Sequence, residues 1–190
     1  MIRRCDIENN KIIVIKDFPS NAERVDFWHH ANTCDYTYSQ KSDFYIGQKQ
    51  TRLAHHFDPL QFEKTTFFKR IENNIDKPIR LMQAYINYAE SSTLNFPHCD
   101  SYHGHVLSIL LCINQDWHRN WGGYTSFFKD ISSNDIIETV VPEPGKAIFF
   151  NGRLFHTATP PNITSQVPRF MLAIKTEWIE NEIETEKEEI

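Results

Sequence analysis

The pattern of hydrophobic and polar positions divides the chain into a helical first part and a β-rich second part. In the first part, the apolar run 12–15 predicts a short buried strand. A capping-box pattern predicts a helix over residues 20–32, and an Asp-Pro pair followed by apolar residues in helical register predicts a second helix over 58–74. The polar, aromatic stretch 36–57 between them has no clear period and is interpreted as a long loop.

From residue 79 onward the apolar positions recur with a period of two, which is typical of strands. Short apolar runs separated by turn-forming residues predict strands over residues 79–89, 105–113, 124–128, 136–141, 147–150, 154–158 and 169–176. Helices followed by many short strands imply a mainly β fold with flanking helices, whose core is a jelly roll or a β-sandwich.

Length and composition fit one globular domain over residues 1–190, because 40% of the residues are hydrophobic and 24% are charged. We divide this domain into an N-terminal helical support (1–77), a jelly-roll core (78–176) and an acidic C-terminal tail (177–190). No apolar run reaches the ~20 residues that span a bilayer, and the N-terminus lacks the hydrophobic region of a signal peptide. Four scattered cysteines without a C-x-x-C pair indicate reduced thiols, so a cytoplasmic protein is expected, without membrane association.

The net charge of −5 is concentrated at the C-terminus. Residues 177–190 hold seven glutamates and one lysine and so contribute −6, which leaves about +1 for the rest of the chain. Because no cluster of Lys and Arg follows a face or a strand, nucleic acid is not expected as a partner. The tail itself is expected to be a solvated helix or a frayed end.

The β-rich part contains an H-x-D tripeptide and a later histidine that together suit a metal ion. Side chains alternate between faces on an extended segment, so His98 and Asp100 point the same way. His156 lies in a later predicted strand. Two imidazoles and one carboxylate on one face of an ion, with the other positions open, form the facial triad of non-haem Fe(II) oxygenases.

The tripeptide alone is weak evidence, because about one is expected by chance with nine histidines and 25 acidic residues. A second one, His56-Phe57-Asp58, runs into a proline, where Asp58 is better explained as a helix cap. The order of the later residues strengthens the case for the tripeptide at His98 and Asp100. Arg169 opens the last predicted strand thirteen residues after His156, and a guanidinium there can bind a carboxylate through two parallel hydrogen bonds.

As an ordered set, the motifs from residue 80 to 178 resemble the Fe(II)/2-oxoglutarate-dependent dioxygenases, in particular their prolyl-hydroxylase-like branch. About half of the chain is covered. The similar segments are Gln83-Ala84-Tyr85-Ile86-Asn87-Tyr88, Pro97-His98-Cys99-Asp100, Ile113-Asn114-Gln115-Asp116-Trp117, Trp121-Gly122-Gly123, Pro144 to Phe150, and Phe155-His156.

The resemblance implies a double-stranded β-helix core, which is a cupin-like jelly roll, and a role for each matching residue. His98, Asp100 and His156 would hold Fe(II). Arg169 would bind the C5 carboxylate of 2-oxoglutarate, and Tyr88 would hydrogen-bond this co-substrate from the neighbouring strand. The resemblance further implies O2 as co-substrate and ascorbate as reductant. Hydroxylation is the expected outcome, because Asp100 is present where halide-transferring relatives have a small residue.

The pattern departs from some relatives around the carboxylate anchor. Leu111 stands where a tyrosine supports the arginine in those relatives, so another hydroxyl is expected to help Arg169, from Tyr85, Tyr102 or Ser108, or none does. The metal ligands are unaffected by this difference.

Three other interpretations are open at this stage. A cupin-type metal site could start at His103 and His105, but no glutamate follows at the required spacing. Nucleic-acid demethylases of the superfamily carry a second arginine six residues after the first, where this chain has Lys175. A catalytically silent barrel that binds a metal or a partner would show no turnover of 2-oxoglutarate.

The substrate is expected to be a peptide or protein, with proline or peptidyl-proline first, or a small molecule such as an amino acid. Specificity is expected to lie in the stretch 36–57 and in the loops 93–96 and 117–121. These segments are rich in aromatic residues, namely Tyr36, Tyr38, Phe44, Tyr45, Trp117 and Trp121. The sequence does not indicate an oligomeric state.

Overall fold

The computed structural model describes residues 1–43 and 48–179, and its elements follow the predicted order of helices first and strands later. The described α-helices are α1 (Arg4–Glu8), α2 (Asn21–Thr33), α3 (Pro59–Glu63) and α4 (Thr66–Asn73). The described strands are β1 (Ile13–Ile15), β2 (Thr37–Asp43), β3 (Gln48–His56), β4 (Ile79–Ala89), β5 (Val106–Cys112), β6 (Thr125–Phe128), β7 (Ile136–Val140), β8 (Ala147–Asn151), β9 (His156–Ala158) and β10 (Arg169–Trp178). None of the described helices is long and apolar enough to cross a membrane.

Seven strands form one antiparallel sheet in the order β1-β8-β5-β10-β4-β3-β2. Strand β10 lies at its centre and pairs with β5 on one side and with β4 on the other, where Arg169 is opposite Ala89. Both β5 and β10 are buried or half-buried along their whole length. This two-sided burial explains why the two strands are almost continuously apolar in sequence.

A smaller antiparallel sheet, in the order β7-β6-β9, faces the large one. Phe127 from β6 packs against Phe150 and Ile148 from β8, and these buried side chains fill the space between the sheets. Two facing sheets around a shared apolar core form the predicted jelly roll, a double-stranded β-helix. The predicted mainly β fold with flanking helices is therefore confirmed.

The helices cover the other face of the large sheet. In α4, Phe67, Phe68 and Ile71 recur at helical spacing and are all buried, so one stripe of this short helix faces the protein. They join Ile86 of β4 and Leu172 of β10 in one apolar cluster. Each fully buried side chain of this size contributes about 1.5–3 kcal/mol, and this stabilises the sheet that carries the candidate site.

Two predictions for the N-terminal part are wrong in detail. The expected loop 36–57 contains the strands β2 and β3, which form a hairpin on the edge of the large sheet. Its polar residues hid the strand pattern. The helix expected over 58–74 is two helices. Thr65 is the N-cap of the second one, α4, because its hydroxyl accepts a hydrogen bond from the Phe68 N–H at 3.2 Å.

The segment 1–77 is more than a helical support, since it contributes three of the seven strands of the large sheet. At the other end, Glu177 belongs to β10. Residues 180–190, which make up most of the predicted acidic tail, lie outside the described residues, as do Phe44 and Tyr45.

Candidate active site

His98 and His156 are held beside each other by the backbone. His98 forms an isolated antiparallel bridge with His156, the first residue of β9, and each backbone N–H donates to the other residue's carbonyl at 2.8 Å. The two rings lie with their centroids 4.6 Å apart. The Asp100 N–H donates to the Gly152 carbonyl at 2.8 Å, so the segment after His98 is also fixed.

Each of the two histidines hydrogen-bonds a backbone carbonyl through its Nδ1. The Nδ1 of His98 lies 3.0 Å from the Phe96 carbonyl, and the Nδ1 of His156 lies 2.9 Å from the Leu154 carbonyl. A carbonyl only accepts, so each Nδ1 carries the proton and each Nε2 carries a lone pair. This is the arrangement that orients an imidazole as a metal ligand.

Asp100 completes the group. Its Oδ1 lies 3.8 Å from the Nε2 of His98, and its Oδ2 lies 3.9 Å from the Nε2 of His156. One donor atom from each of the three residues lies within 4.8 Å of the others. An ion about 2.1 Å from each nitrogen and oxygen requires donors roughly 3 Å apart, so donors that lie within 4.8 Å of one another need to close by at most about 2 Å.

Two further side chains hold the Asp100 carboxylate. The Ser108 hydroxyl donates to its Oδ2 at 2.7 Å, and the Lys175 ammonium lies 2.6 Å from its Oδ1. Asp100 and Lys175 are both buried, with 5% and 9% of their side chains exposed. Ser108 and Lys175 are opposite each other on β5 and β10, so the sheet register places both beneath the carboxylate.

Arg169 is a buried cation at the start of β10. Its Nη2 donates to the Thr125 hydroxyl at 3.1 Å, whereas its buried Nε has no hydrogen-bond partner among the described residues. Burial lowers the pKa of Arg169 to about 10, so the group is still charged at neutral pH. No acidic side chain in the described parts of the chain pairs with it, and a buried cation in this state favours an anionic ligand.

The glycine pair after Trp121 lets the chain pack closely around Arg169. Gly123 has a φ of +76°, and a Cβ atom on it would lie 2.8 Å from the Trp117 ring and 3.0 Å from the Arg169 Cδ. The Trp117 indole N–H donates to the Gly122 carbonyl at 3.1 Å, which fixes the ring over this turn. Gly123 is therefore explained by close packing against the arginine, whereas Gly122 is explained by its positive φ of +73°.

One cleft joins the anchor to the three candidate ligands. It is lined by His98, Asp100, His156, Arg169, Tyr85, Asn87, Tyr88, Ala89, Asn95, Leu110, Ala158 and Met171. Leu110 and Met171 give it apolar surface, while the Oδ1 of Asn87 is buried without a partner among the described residues. All five sequence-predicted site residues therefore line one cleft.

The geometry does not support the role predicted for Tyr88. Tyr88 is opposite Phe170, one residue along from Arg169, so its side chain points to the helix-covered face. Its ring packs on Phe170 and Tyr36, with centroids 5.6 and 5.5 Å away, and its hydroxyl donates to Glu90 at 3.4 Å. It borders the cleft but does not aim its hydroxyl at the anchor.

Sequence reasoning also missed the hydroxyl that supports Arg169. That group is Thr125, not Tyr85, Tyr102 or Ser108. Its position two residues after Gly123 was the available signal. Lys175 was noted, but its contact with Asp100 was not predicted. His103 and His105, considered for a cupin-type site, are both exposed.

Residues 84–179 match the family model of the 2OG-Fe(II) oxygenase superfamily. Three solved structures share the fold. The α-ketoglutarate-dependent epimerase SnoN from nogalamycin biosynthesis is 15% identical, with 92% of this chain and 81% of that one covered and a TM-score of 0.65. A prolyl-4-hydroxylase from Pseudomonas putida is 12% identical over 93% and 97%, with a TM-score of 0.62. HygX from Streptomyces hygroscopicus, solved with nickel and 2-oxoglutarate, is 11% identical over 90% and 84%, with a TM-score of 0.61. No curated protein matches the sequence.

Proposed function

Because this chain belongs to the 2OG-Fe(II) oxygenase superfamily, we propose that it is an Fe(II)- and 2-oxoglutarate-dependent hydroxylase of unactivated C–H bonds. The observation that carries the proposal is one cleft that holds two imidazoles, one carboxylate and a buried guanidinium that no acidic side chain among the described residues neutralises. An anion anchor beside a three-ligand metal site suits a dicarboxylate that also binds the metal. Similar folds have been solved with Fe3+ or nickel together with this co-substrate.

His98, Asp100 and His156 hold the iron in this proposal. Both histidines present an Nε2 lone pair, and the Ser108 hydroxyl keeps the Asp100 carboxylate turned toward them. Three protein ligands on one face leave the other positions open for the co-substrate and O2. Bound together, Fe(II), 2-oxoglutarate and O2 supply an oxidant able to break a C–H bond, and 2-oxoglutarate leaves as succinate and CO2.

Arg169 binds the far carboxylate of 2-oxoglutarate. Its guanidinium donates a hydrogen bond to Thr125, and its aliphatic part packs closely beside Gly123, so little side-chain entropy is lost on binding. A carboxylate supplies acceptors for the N–H groups that the described residues leave open. Asn87 of β4 lines the same cleft as Arg169, and it is placed to offer its amide N–H to the co-substrate.

The cleft wall keeps water from the reacting groups. Leu110 and Met171 line it with apolar surface, and His156 is packed on Phe127 and Phe150, with ring centroids 5.8 and 4.9 Å away. A site of low polarity strengthens the binding of charged groups inside it. The same wall shields the bound co-substrate from side reactions.

The substrate class proposed is a prolyl or peptidyl-proline group, with an amino-acid-like small molecule as the next class to test. A prolyl-4-hydroxylase and a prolyl hydroxylase from Trichoplax adhaerens bound to a peptide both have similar folds. SnoN is an epimerase, which makes epimerisation the second candidate. A product with a mass increase of about 16 Da distinguishes hydroxylation, because epimerisation leaves the mass unchanged.

The test is succinate formation from 2-oxoglutarate with Fe(II), O2 and ascorbate. Turnover is expected for the native protein and is expected to be lost in His98→Ala and Asp100→Ala, together with the bound iron measured by elemental analysis. His29→Ala, which removes an exposed histidine on α2, is the matched control and is expected to retain both. Tight iron binding without any succinate would instead favour a catalytically silent metal- or partner-binding barrel.

A further inference from the structure

A second group of metal-ligating side chains lies away from the cleft, where helix α2 meets strand β3. His30 and Cys34 are four residues apart at the end of α2, so they lie on the same side of the helix. The Cys34 N–H donates to the His30 carbonyl at 2.9 Å and caps the helix. His55 from β3 brings a second imidazole to the same place, and none of the three residues lines the cleft.

The donor atoms of these residues are close and correctly directed. One ligand atom from each lies within 4.8 Å of the other two. The Nδ1 of His55 lies 2.9 Å from the Asp35 carbonyl and therefore carries its proton, which leaves the Nε2 with a lone pair. The Nε2 of His30 is buried without a hydrogen-bond partner among the described residues, as expected for an atom whose partner is an ion.

Phe57 shields the rings of both histidines. Phe57 stacks on His30, with a centroid distance of 5.1 Å, and meets the edge of His55 at 5.3 Å. Burial, followed by the neighbouring His55 and His29, lowers the pKa of His30 below its ordinary value.

We propose that His30, Cys34 and His55 form a second metal site that binds Zn2+ and ties α2 to β3. Two imidazoles and one thiolate are ligands that Zn2+ prefers, and the fourth tetrahedral position is left for water. A tetrahedral ion at about 2.1 Å from nitrogen and 2.3 Å from sulfur requires donors roughly 3.3–3.6 Å apart. Donors that lie within 4.8 Å of one another reach this spacing by closing at most about 1.5 Å.

The site has a structural purpose in this position. Beside it, the Tyr36 hydroxyl donates to the Ala31 carbonyl at 2.8 Å, and the Tyr36 ring packs on Tyr88 and Phe170. Phe170 follows the co-substrate anchor in β10. The ion therefore fixes the aromatic layer behind the anchor while taking no part in the reaction.

The sulfur ligand makes the site spectroscopically distinct from the first one, whose ligands are two histidines and an aspartate. The full-length His98→Ala/Asp100→Ala variant, which lacks the first site, is titrated with Co2+ as the probe. A thiolate-to-cobalt charge-transfer band is expected at one equivalent. Adding Cys34→Ser should remove the band, whereas Cys5→Ser, which changes an exposed cysteine on α1, should leave it intact.

Zn2+ binding provides an independent readout. Zn2+ should raise the melting temperature of the first-site variant, because it binds the folded state. His30→Gln should abolish this rise, and His29→Gln, one residue away and exposed, should retain it. If the double variant is poorly folded, the same band is sought in the native protein at two equivalents of Co2+, with far-ultraviolet circular dichroism as the folding control.

Absence of the cobalt band from both proteins would overturn the proposal, and so would its persistence after Cys34→Ser. The cluster would then be an aromatic packing contact around a helix cap. Failure of iron-dependent turnover in the native protein would not affect this outcome, since the second site is tested with the first one removed.

Discussion

The ion pair between Lys175 and Asp100 gives the sharpest quantitative prediction. The two charges are 2.6 Å apart, with at most 9% of either side chain exposed. At an effective dielectric constant of about 20, their Coulomb attraction is about 6 kcal/mol, part of which the desolvation of both groups cancels. Lys175→Met keeps the shape of the side chain but leaves the carboxylate without its cation.

Removal of one partner from a buried ion pair costs about 3–5 kcal/mol in unfolding free energy. We expect the lower end, about 3 kcal/mol, because Asp100 keeps its hydrogen bond from Ser108. With an m value of about 2 kcal/mol/M, the urea midpoint falls by about 1.5 M. The measurement is urea unfolding followed by circular dichroism in the presence of a chelator.

Two variants control this experiment. Lys175→Met/Asp100→Asn removes both charges and should recover most of the loss, as expected for a pair that acts as a unit. Lys69→Met breaks an exposed ion pair with Glu72 and should cost less than about 1 kcal/mol. An unfolding free energy within about 1 kcal/mol of the native value for Lys175→Met would refute the reasoning, as would a double variant no more stable than the single one.

Three further predictions concern the anchor and the thiols. Arg169→Ala should raise the KM for 2-oxoglutarate about 10- to 100-fold, since a charged hydrogen bond contributes about 1.5–3 kcal/mol; an unchanged KM in steady-state assays would reject the anchor. Gly123→Ala should raise this KM and lower the melting temperature more than Gly122→Ala does. Both glycines have a positive φ, but only a Cβ atom at position 123 would lie within 3 Å of other atoms. Equal effects of the two substitutions would contradict the packing argument. Burial raises the pKa of Cys112 to about 11, so at pH 8 iodoacetamide should label the exposed Cys5 in the folded protein and spare Cys112, and mass spectrometry of peptides checks this.

Much of the site could be predicted because its residues follow the two-residue period of strands. His98 and Asp100 share a face by their spacing, and the structure places them so. The same rule, applied to the register between strands, turns the Tyr88 side chain away from Arg169, because Tyr88 lies opposite Phe170. Register between distant strands is not visible in a single sequence, so the direction of the Tyr88 side chain could not be predicted.

Contacts that depend on three-dimensional packing could not be predicted. Lys175 is an even number of residues from Arg169, so the shared face was foreseeable, but its contact with Asp100 depends on the pairing of β10 with β5. The second cluster joins a helix end to a strand at His55, within a segment interpreted as a loop. Its polar residues gave no strand signal, so the third ligand could not be placed.

The most direct test of the central claim is the absorption spectrum of the native protein with Fe(II) and 2-oxoglutarate in the absence of O2. A 2-oxo acid chelated to iron in the cleft is expected to give a visible charge-transfer band. The band should be absent with succinate in place of 2-oxoglutarate, and absent from Asp100→Ala. No band in the native protein, or an equal band in Asp100→Ala, would contradict the assignment of the metal and co-substrate site.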